Sequence, residues 1–465
     1  MSIDATQRSA RFDPASFERF RFTGRELSDD GVVTLRYALD ERIEFAETFT
    51  LPLPEGTHVS AADRARVDGL LSLLHWVAGV SYFKIAVPPA VVLEGPLPGP
   101  AAAALLEALY SEGLGEFAFT NRLPALPRPV FPRGAGGASA GAVDAAARDD
   151  ASGPRRILVP VGGGKDSVVA LEIARRSGRE VSLFSIGDAP PIVRTVAVAG
   201  LPHLLARRRL DAQIGALNRA GALNGHVPVT AIVSCVALLT ASLHGFDAVA
   251  MANERSASHG NVAWDGIDVN HQFSKSLRTE RLLRAALSEV AAPAELFSLL
   301  RPASELGIAR AFARLEDYHP VFTSCNAIFR IDPALRAASW CCDCPKCRFV
   351  YLILAPFLEP AALAAIFGRD LLGDPAQYDG FALLTATGGH KPFECVGEEQ
   401  ESLAAIRLIA AQPRWRDHAV VRRLAAEVLP AHAAADGDLE QVLALSDDHE
   451  VPAALMPDVR ALLGA

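Results

Sequence analysis

The opening third of the chain has the pattern of an α+β unit. Val32–Leu39 and residues 45–51 have strand character, and their spacing suits an antiparallel hairpin. Over 61–80 the pattern turns helical, with Val67, Leu70, Leu71, Leu74 and Val77 on one face. A second helix is predicted over 101–111. Residues 1–133 therefore form the first predicted domain, and no catalytic constellation stands out in it; scaffold, substrate-side lid and interface are its candidate roles. Residues 134–154 then carry small and charged residues with nothing to bury, which predicts a flexible linker and the main domain boundary.

Past the linker the pattern changes. A short apolar strand at 156–161 precedes a helix at 166–176, where Val169 and Ile173 lie one turn apart. Another strand follows at 181–186, then a buried helix at 230–243 and a strand at 248–252. Strand and helix alternating at this spacing predict βαβ units and a parallel sheet over 155–285. Helix dominates from about Ala285, so residues 286–465 read as a mostly helical C-terminal region. No internal repeat is visible.

Composition narrows the class. A chain of 465 residues, half of them hydrophobic, is long enough for two or three domains with proper cores. Lys and Arg number 45 against 54 Asp and Glu, a formal charge of -9. That balance argues against broad nucleic-acid binding driven by backbone charge, leaving only a local basic groove. No apolar run follows a basic start at Met1, and the stretches 230–243 and 349–358 are too short or interrupted to span a bilayer. Seven cysteines, four of them within 341–347, do not make a secreted disulfide framework. A cytoplasmic protein is expected, with no membrane partner; the oligomeric state is not legible.

The first strong chemical signal is Val161-Gly162-Gly163-Gly164-Lys165-Asp166-Ser167, between a predicted strand and helix. Glycines let backbone amides approach an anion closely, and a helix N-terminus adds unpaired N–H groups and a positive dipole end. Ser167 offers a hydroxyl, Lys165 a mobile charge, and Asp166 a carboxylate to organise the loop or approach a metal ion. The pattern G-x-x-x-x-G-K-[ST] fails because Asp166 follows Lys165, and G-x-G-x-x-G fails because position 167 is Ser. What matches is the pyrophosphatase (PP-loop) sequence S-G-G-x-D-S of enzymes that release AMP and pyrophosphate, with Gly162 where Ser is usual. The bland alternative is a glycine turn that merely joins strand to helix.

Later stretches are dense in polar chemistry. Asn253-Glu254-Arg255-Ser256-Ala257-Ser258-His259 follows the strand at 248–252, at the strand end where open α/β sheets bind ligands. Asn270–Ser276 and Tyr318-His319-Pro320 through Cys325-Asn326 are similar. Trp340-Cys341-Cys342-Asp343-Cys344-Pro345-Lys346-Cys347 places Cys344 and Cys347 at C-x-x-C spacing, suited to one tetrahedral ion. Cys341 or Cys342 would be a third ligand, and Cys325, His319 or a residue elsewhere a fourth; the ligands expected are Cys342, Cys344 and Cys347. A redox pair and buried inert cysteines are the competing readings. Gly388-Gly389-His390-Lys391-Pro392-Phe393-Glu394-Cys395 is a glycine turn presenting several titratable groups.

Taken together, Val161–Ser167, Ala252–Asn261, Tyr318–Asn326, Ser339–Arg348 and Gly388–Glu398 resemble the UDP-N-acetyl-α-D-muramoyl-L-alanyl-L-glutamate epimerase family. The likeness extends to Phe20-Arg21-Phe22 and Ser81-Tyr82-Phe83-Lys84, and is weakest in the linker and the last thirty or so residues. It implies an α/β fold with a parallel-sheet PP-loop (HUP-like) nucleotide-binding core. It also implies a bacterial peptidoglycan-precursor enzyme that takes ATP and Mg²⁺; Zn²⁺ at the cysteines rests on their spacing alone. Its small-molecule substrate would be the UDP-muramoyl dipeptide, whose terminal L-Glu becomes D-Glu as AMP and pyrophosphate are released.

In that scheme Gly162, Gly163, Gly164, Lys165 and Ser167, with Asn253, Glu254 and Arg255, hold the nucleotide. Lys165, Asp166 and Ser167 serve catalysis, and His319, Cys325, His390, Lys391 and Cys395 are acid–base candidates by chemical type. The alternative is another AMP-forming PP-loop ligase, or a synthase that modifies nucleobases or tRNA. A nucleotide sensor without turnover is a third class.

Overall fold

The computed structural model describes residues 12–134, 153–329, 334, 336–386, 391–432 and 438–464. The 134–154 linker expectation falls almost wholly outside them. The chain forms two compact units that interleave in sequence. One takes Met1–Val143, Ala206–His244 and Leu282–Pro293; the other takes Asp144–Leu205, Gly245–Arg281 and Ala294–Ala465.

The first unit holds strands β1 (Arg19–Leu27), β2 (Val32–Leu39), β3 (Ile43–Thr50) and β4 (Ala90–Leu93). β2 pairs antiparallel with both β1 and β3, with Tyr37 opposite Phe45, as the predicted hairpin requires. β4 runs parallel to β1, and Arg207–Arg209 add antiparallel to β3. Helices Ala61–Ala78, Pro100–Tyr110 and Val229–His244 supply the other apolar surface. Aromatic side chains fill the space between: Tyr37 stacks on Tyr82 at 4.8 Å and its hydroxyl donates to the His75 carbonyl. The helix Pro100–Tyr110 has no capping side chain of its own, and Glu289 supplies one. Its carboxylate accepts from the Ala101 and Ala102 amides at 2.8 and 3.2 Å.

The second unit is built on parallel strands β5 (Arg156–Pro160), β6 (Glu180–Ile186), β8 (Ala248–Met251) and β11 (Glu295–Ser298), in the order β11-β8-β5-β6. Between them in sequence lie β7 (His203–Arg209) and the small hairpin of β9 (Val262–Trp264) and β10 (Ile267–Val269). β11 falls where the sequence predicts helix. Four residues leave too little periodicity to identify, but Leu296 and Phe297 are buried beside β8. The helices that follow, with Lys165–Arg176, bury the remaining apolar residues in one continuous core.

The strand order places the chemistry. From β5 the chain moves to β6 on one side, then returns to β8 on the other. Such a reversal opens a crevice beyond the carboxyl ends of the two strands, where open α/β sheets receive ligands. The segments leaving β5 and β8 at that end are Val161–Ser167 and Ala252–Asn261.

Candidate active site

The glycine loop leaves β5 and runs into the helix Lys165–Arg176. Gly163 has φ +81°, and a Cβ there would lie 2.6 Å from the Pro191 carbonyl carbon, so only glycine fits. A Cβ on Gly164 would meet the Ser324 hydroxyl at 2.7 Å, whereas one on Gly162 would meet nothing within 4 Å. The Gly163 carbonyl accepts from the Thr323 amide at 2.9 Å, fixing the loop's outer wall. Gly164 caps the helix without a side-chain hydrogen bond. No side chain therefore caps the first-turn amides. Ser167 is turned to its own backbone, its hydroxyl donating to the Gly164 carbonyl at 2.9 Å.

Lys165 differs from expectation. It is not a mobile surface charge but is fully buried, with its ammonium bonded to Asp166 and Glu305. Burial alone would lower its pKa; the two carboxylates outweigh that and hold it up. Burial also opposes Asp166 ionisation, but Lys165 keeps that carboxyl below its ordinary value. Glu305 is pushed up by burial and by the Asp166 charge. It opens the helix Glu305–Phe312, which Ser304 caps through the Gly307 amide at 3.0 Å.

Around this pair lie charges that the sequence reading did not single out. Lys346 Nζ sits 3.6 Å from Glu305 Oε1, an oxygen without a hydrogen-bond partner among the described residues. Glu401 accepts from the Glu305 and Glu398 amides, both at 2.6 Å, and from the Ser256 hydroxyl at 3.2 Å. One carboxyl therefore ties together the starts of two helices and the turn after β8. Burial, then the neighbouring Glu305 and Glu398, push its pKa up to about 8.

Arg301, 1% exposed, pairs with Glu280 at 2.9 Å and donates to the Glu254 and Lys275 carbonyls. It fixes the backbone of the turn after β8 and that of Lys275. Lys275 reaches Cys395 Sγ at 3.7 Å. Burial of Cys395 opposes its ionisation, but Lys275 and the His271 ring overcome this and bring the thiol down to about 7.

The predicted residues divide accordingly. Lys165, Asp166, Glu254 and Cys395 share this network of charges. Asn253 is buried, with its amide on Ser298 at 3.1 Å. Arg255 donates to the Val442 and Ala444 carbonyls, both at 3.0 Å, and its charge is also felt by Glu398. His319 packs on Phe312 with its ring nitrogen 3.2 Å from the Phe312 carbonyl. Lys391 is buried against the Gly397 carbonyl at 3.0 Å, and burial lowers its pKa. His390 lies outside the described residues.

Cys325, Cys341, Cys344 and Cys347 converge, with all four sulfurs within 4.8 Å of one another. Cys342, expected as a ligand, is not among them. Its backbone turns at φ +59° and its sulfur faces the Phe367 carbonyl at 3.3 Å. Cys325, named among the acid–base candidates, is thus brought together with three other thiols.

Strand order, glycine turn and buried charges define an α/β protein with an anion-suited loop at the carboxyl end of a parallel sheet. Comparison with known proteins is more specific. The MurL N-terminal domain model matches residues 11–299 and the MurL C-terminal domain model matches 321–439. The chain belongs to the MurL family. A UDP-N-acetyl-alpha-D-muramoyl-L-alanyl-L-glutamate epimerase of Salinispora tropica is 48% identical over 89% of this chain and 88% of its own. Proteins of the same name from Micromonospora sp. and Xanthomonas oryzae pv. oryzae are 46% and 41% identical, over 95% and 97% of this chain and 96% and 98% of theirs.

Proposed function

We propose that this chain inverts the terminal L-Glu of UDP-N-acetylmuramoyl-L-Ala-L-Glu to D-Glu at the expense of ATP, in peptidoglycan precursor synthesis. One observation carries the reading: relatives named as this epimerase match 95% and 97% of this chain at 46% and 41% identity. The rest is chemistry. The α-proton beside a free carboxylate is very weakly acidic, since its removal puts a second negative charge next to the first. Adenylating the carboxylate cancels that charge and yields an acyl group whose enolate can be stabilised. Pyrophosphate leaves, an acid and a base exchange the proton, and water releases AMP.

In this proposal the amides from Gly163 to Ser167 take the phosphates. Lys165 acts as a fixed counter-charge within the loop. Mg²⁺ suits the donor set, because it typically takes one or two carboxylates plus phosphate oxygens. Asp166 and Glu305 Oε1, which accepts no hydrogen bond among the described residues, would hold it, and it would neutralise charge on the departing pyrophosphate. The Cys395 thiolate exchanges the α-proton on one face, with Lys275 keeping it ionised.

The test is an incubation of the protein with ATP, Mg²⁺ and the L-Glu substrate, scoring AMP and the handedness of recovered Glu. D-Glu formed together with AMP is expected. D-Glu without AMP removes the adenylation step, and AMP with a new amide bond but no D-Glu favours the ligase alternative.

A further inference from the structure

The four converging cysteines come from three places in the second unit. Cys325 ends the segment that walls the glycine loop, Cys341 sits in the following turn, and Cys344 and Cys347 open the helix Pro345–Leu354. Cys325 and Cys347 are fully buried, and Cys341 and Cys344 partly so. Tetrahedral zinc with Zn–S bonds of about 2.3 Å requires sulfurs about 3.8 Å apart along each edge. Cys341 Sγ and Cys347 Sγ are 3.7 Å apart, and no pair among the four exceeds 4.8 Å. A disulfide would need roughly 2.05 Å. An iron–sulfur cluster spreads its cysteines wider than a single ion does.

The surroundings suit thiolates. The Cys347 amide donates to Cys344 Sγ at 3.4 Å, and the Cys341 and Ala327 amides point to Cys325 Sγ. Trp340 covers the neighbourhood, 4.3 Å from Phe367 and 5.2 Å from Phe322.

We propose that Cys325, Cys341, Cys344 and Cys347 hold one zinc ion as a closed structural site that fastens the wall of the glycine loop. Two and one residues before Cys325, Thr323 bonds the Gly163 carbonyl and Ser324 occupies the space beside Gly164. Lys346, between two of the ligands, faces Glu305 of the Lys165 cluster. One ion therefore positions both segments, and all four ligands being protein thiolates leaves no open position for catalysis.

The full chain, expressed with zinc supplied and purified under reducing conditions, is expected to carry one zinc per molecule by elemental analysis. Cobalt exchanged for it should give intense thiolate-to-metal charge transfer and tetrahedral d–d bands. Cys341→Ser and Cys344→Ser should lose the metal, and Cys342→Ser should keep it. Cys341→His, which retains four ligands, should keep the metal with a shifted cobalt spectrum, separating ligand loss from misfolding. Removing zinc from the intact protein should lower its thermal midpoint and expose the chain around Cys325 and Cys341 to protease. Zinc-free protein with four readily alkylated thiols in that cluster would overturn the proposal, as would a brown iron–sulfur chromophore. Metal lost from Cys342→Ser but kept by Cys341→Ser would overturn the ligand assignment.

Discussion

Lys165 and Glu305, 140 residues apart in sequence, form an ion pair from which solvent is excluded. Removing Lys165 leaves buried Glu305 beside the like-charged Asp166, with Lys346 at 3.6 Å in partial compensation, and such a loss costs at most about 3–5 kcal/mol. Lys165→Met is therefore expected to lower stability by up to that much, while Lys165→Met combined with Glu305→Gln recovers part of the loss. Chemical denaturation of the two variants measures this. A single variant within about 0.5 kcal/mol of the parent would mean that the pair is not buried as described.

The three loop glycines should respond differently. Gly163→Ala forces a side chain into a left-handed backbone and against Pro191, so it should destabilise by at least about 1–2 kcal/mol and abolish ATP binding. Gly162→Ser enters open space and should leave the thermal midpoint unchanged, and it restores the hydroxyl usual in this loop. Calorimetric titration with ATP distinguishes them. Equal damage from both would contradict the loop geometry.

Cys395 should titrate near neutral pH. With its thiol pKa depressed to about 7, it ionises as pH rises through that value. Its contribution to stability is present above the ordinary thiol pKa, near 8.5, and is lost as pH falls through about 7. Alkylation of Cys395 by iodoacetamide, followed by peptide mass spectrometry, should show a midpoint near 7. Lys275→Met should move that midpoint upward. A midpoint unchanged by the substitution would remove Lys275 from its positioning role.

Arg255→Ala should act on structure rather than on nucleotide. Two charged hydrogen bonds to the Val442 and Ala444 carbonyls disappear, a loss of about 1.5–3 kcal/mol for each such bond at most. Faster proteolysis around residues 438–450 with an unchanged ATP dissociation constant is the expected pair of results. Weakened ATP binding with no change in proteolysis would return Arg255 to the nucleotide site.

What the sequence made legible was local. The strand, glycines and helix around Lys165 are continuous in sequence from Arg156 to Arg176, and their periodicity and turn chemistry reveal them directly. The carboxyls and lysines that surround Lys165 do not. Glu401 meets the Glu305 amide across 96 residues, and Arg301 reaches back to Glu254 across 47. On a helix, a buried Glu has the same local pattern as an exposed one until its partner is known. The cysteines show the same limit at short range. Spacing alone allows either Cys341 or Cys342 beside the C-x-x-C pair, and the left-handed turn at Cys342 decides between them. β11 is missed for a related reason, since its identity as a strand comes from lying beside β8.

The helix Pro100–Tyr110 owes its N-terminal cap to Glu289, 188 residues after the amide it receives. A ribosome adds about 5–20 residues per second, so that amide waits on the order of ten seconds or more for its carboxylate. During synthesis the first unit stays incomplete while β5, β6 and β8 emerge. Its final stretch, Leu282–Pro293, arrives just before β11. The two cores are therefore interlocked in time, and a chain truncated anywhere before Pro293 would leave both unfinished.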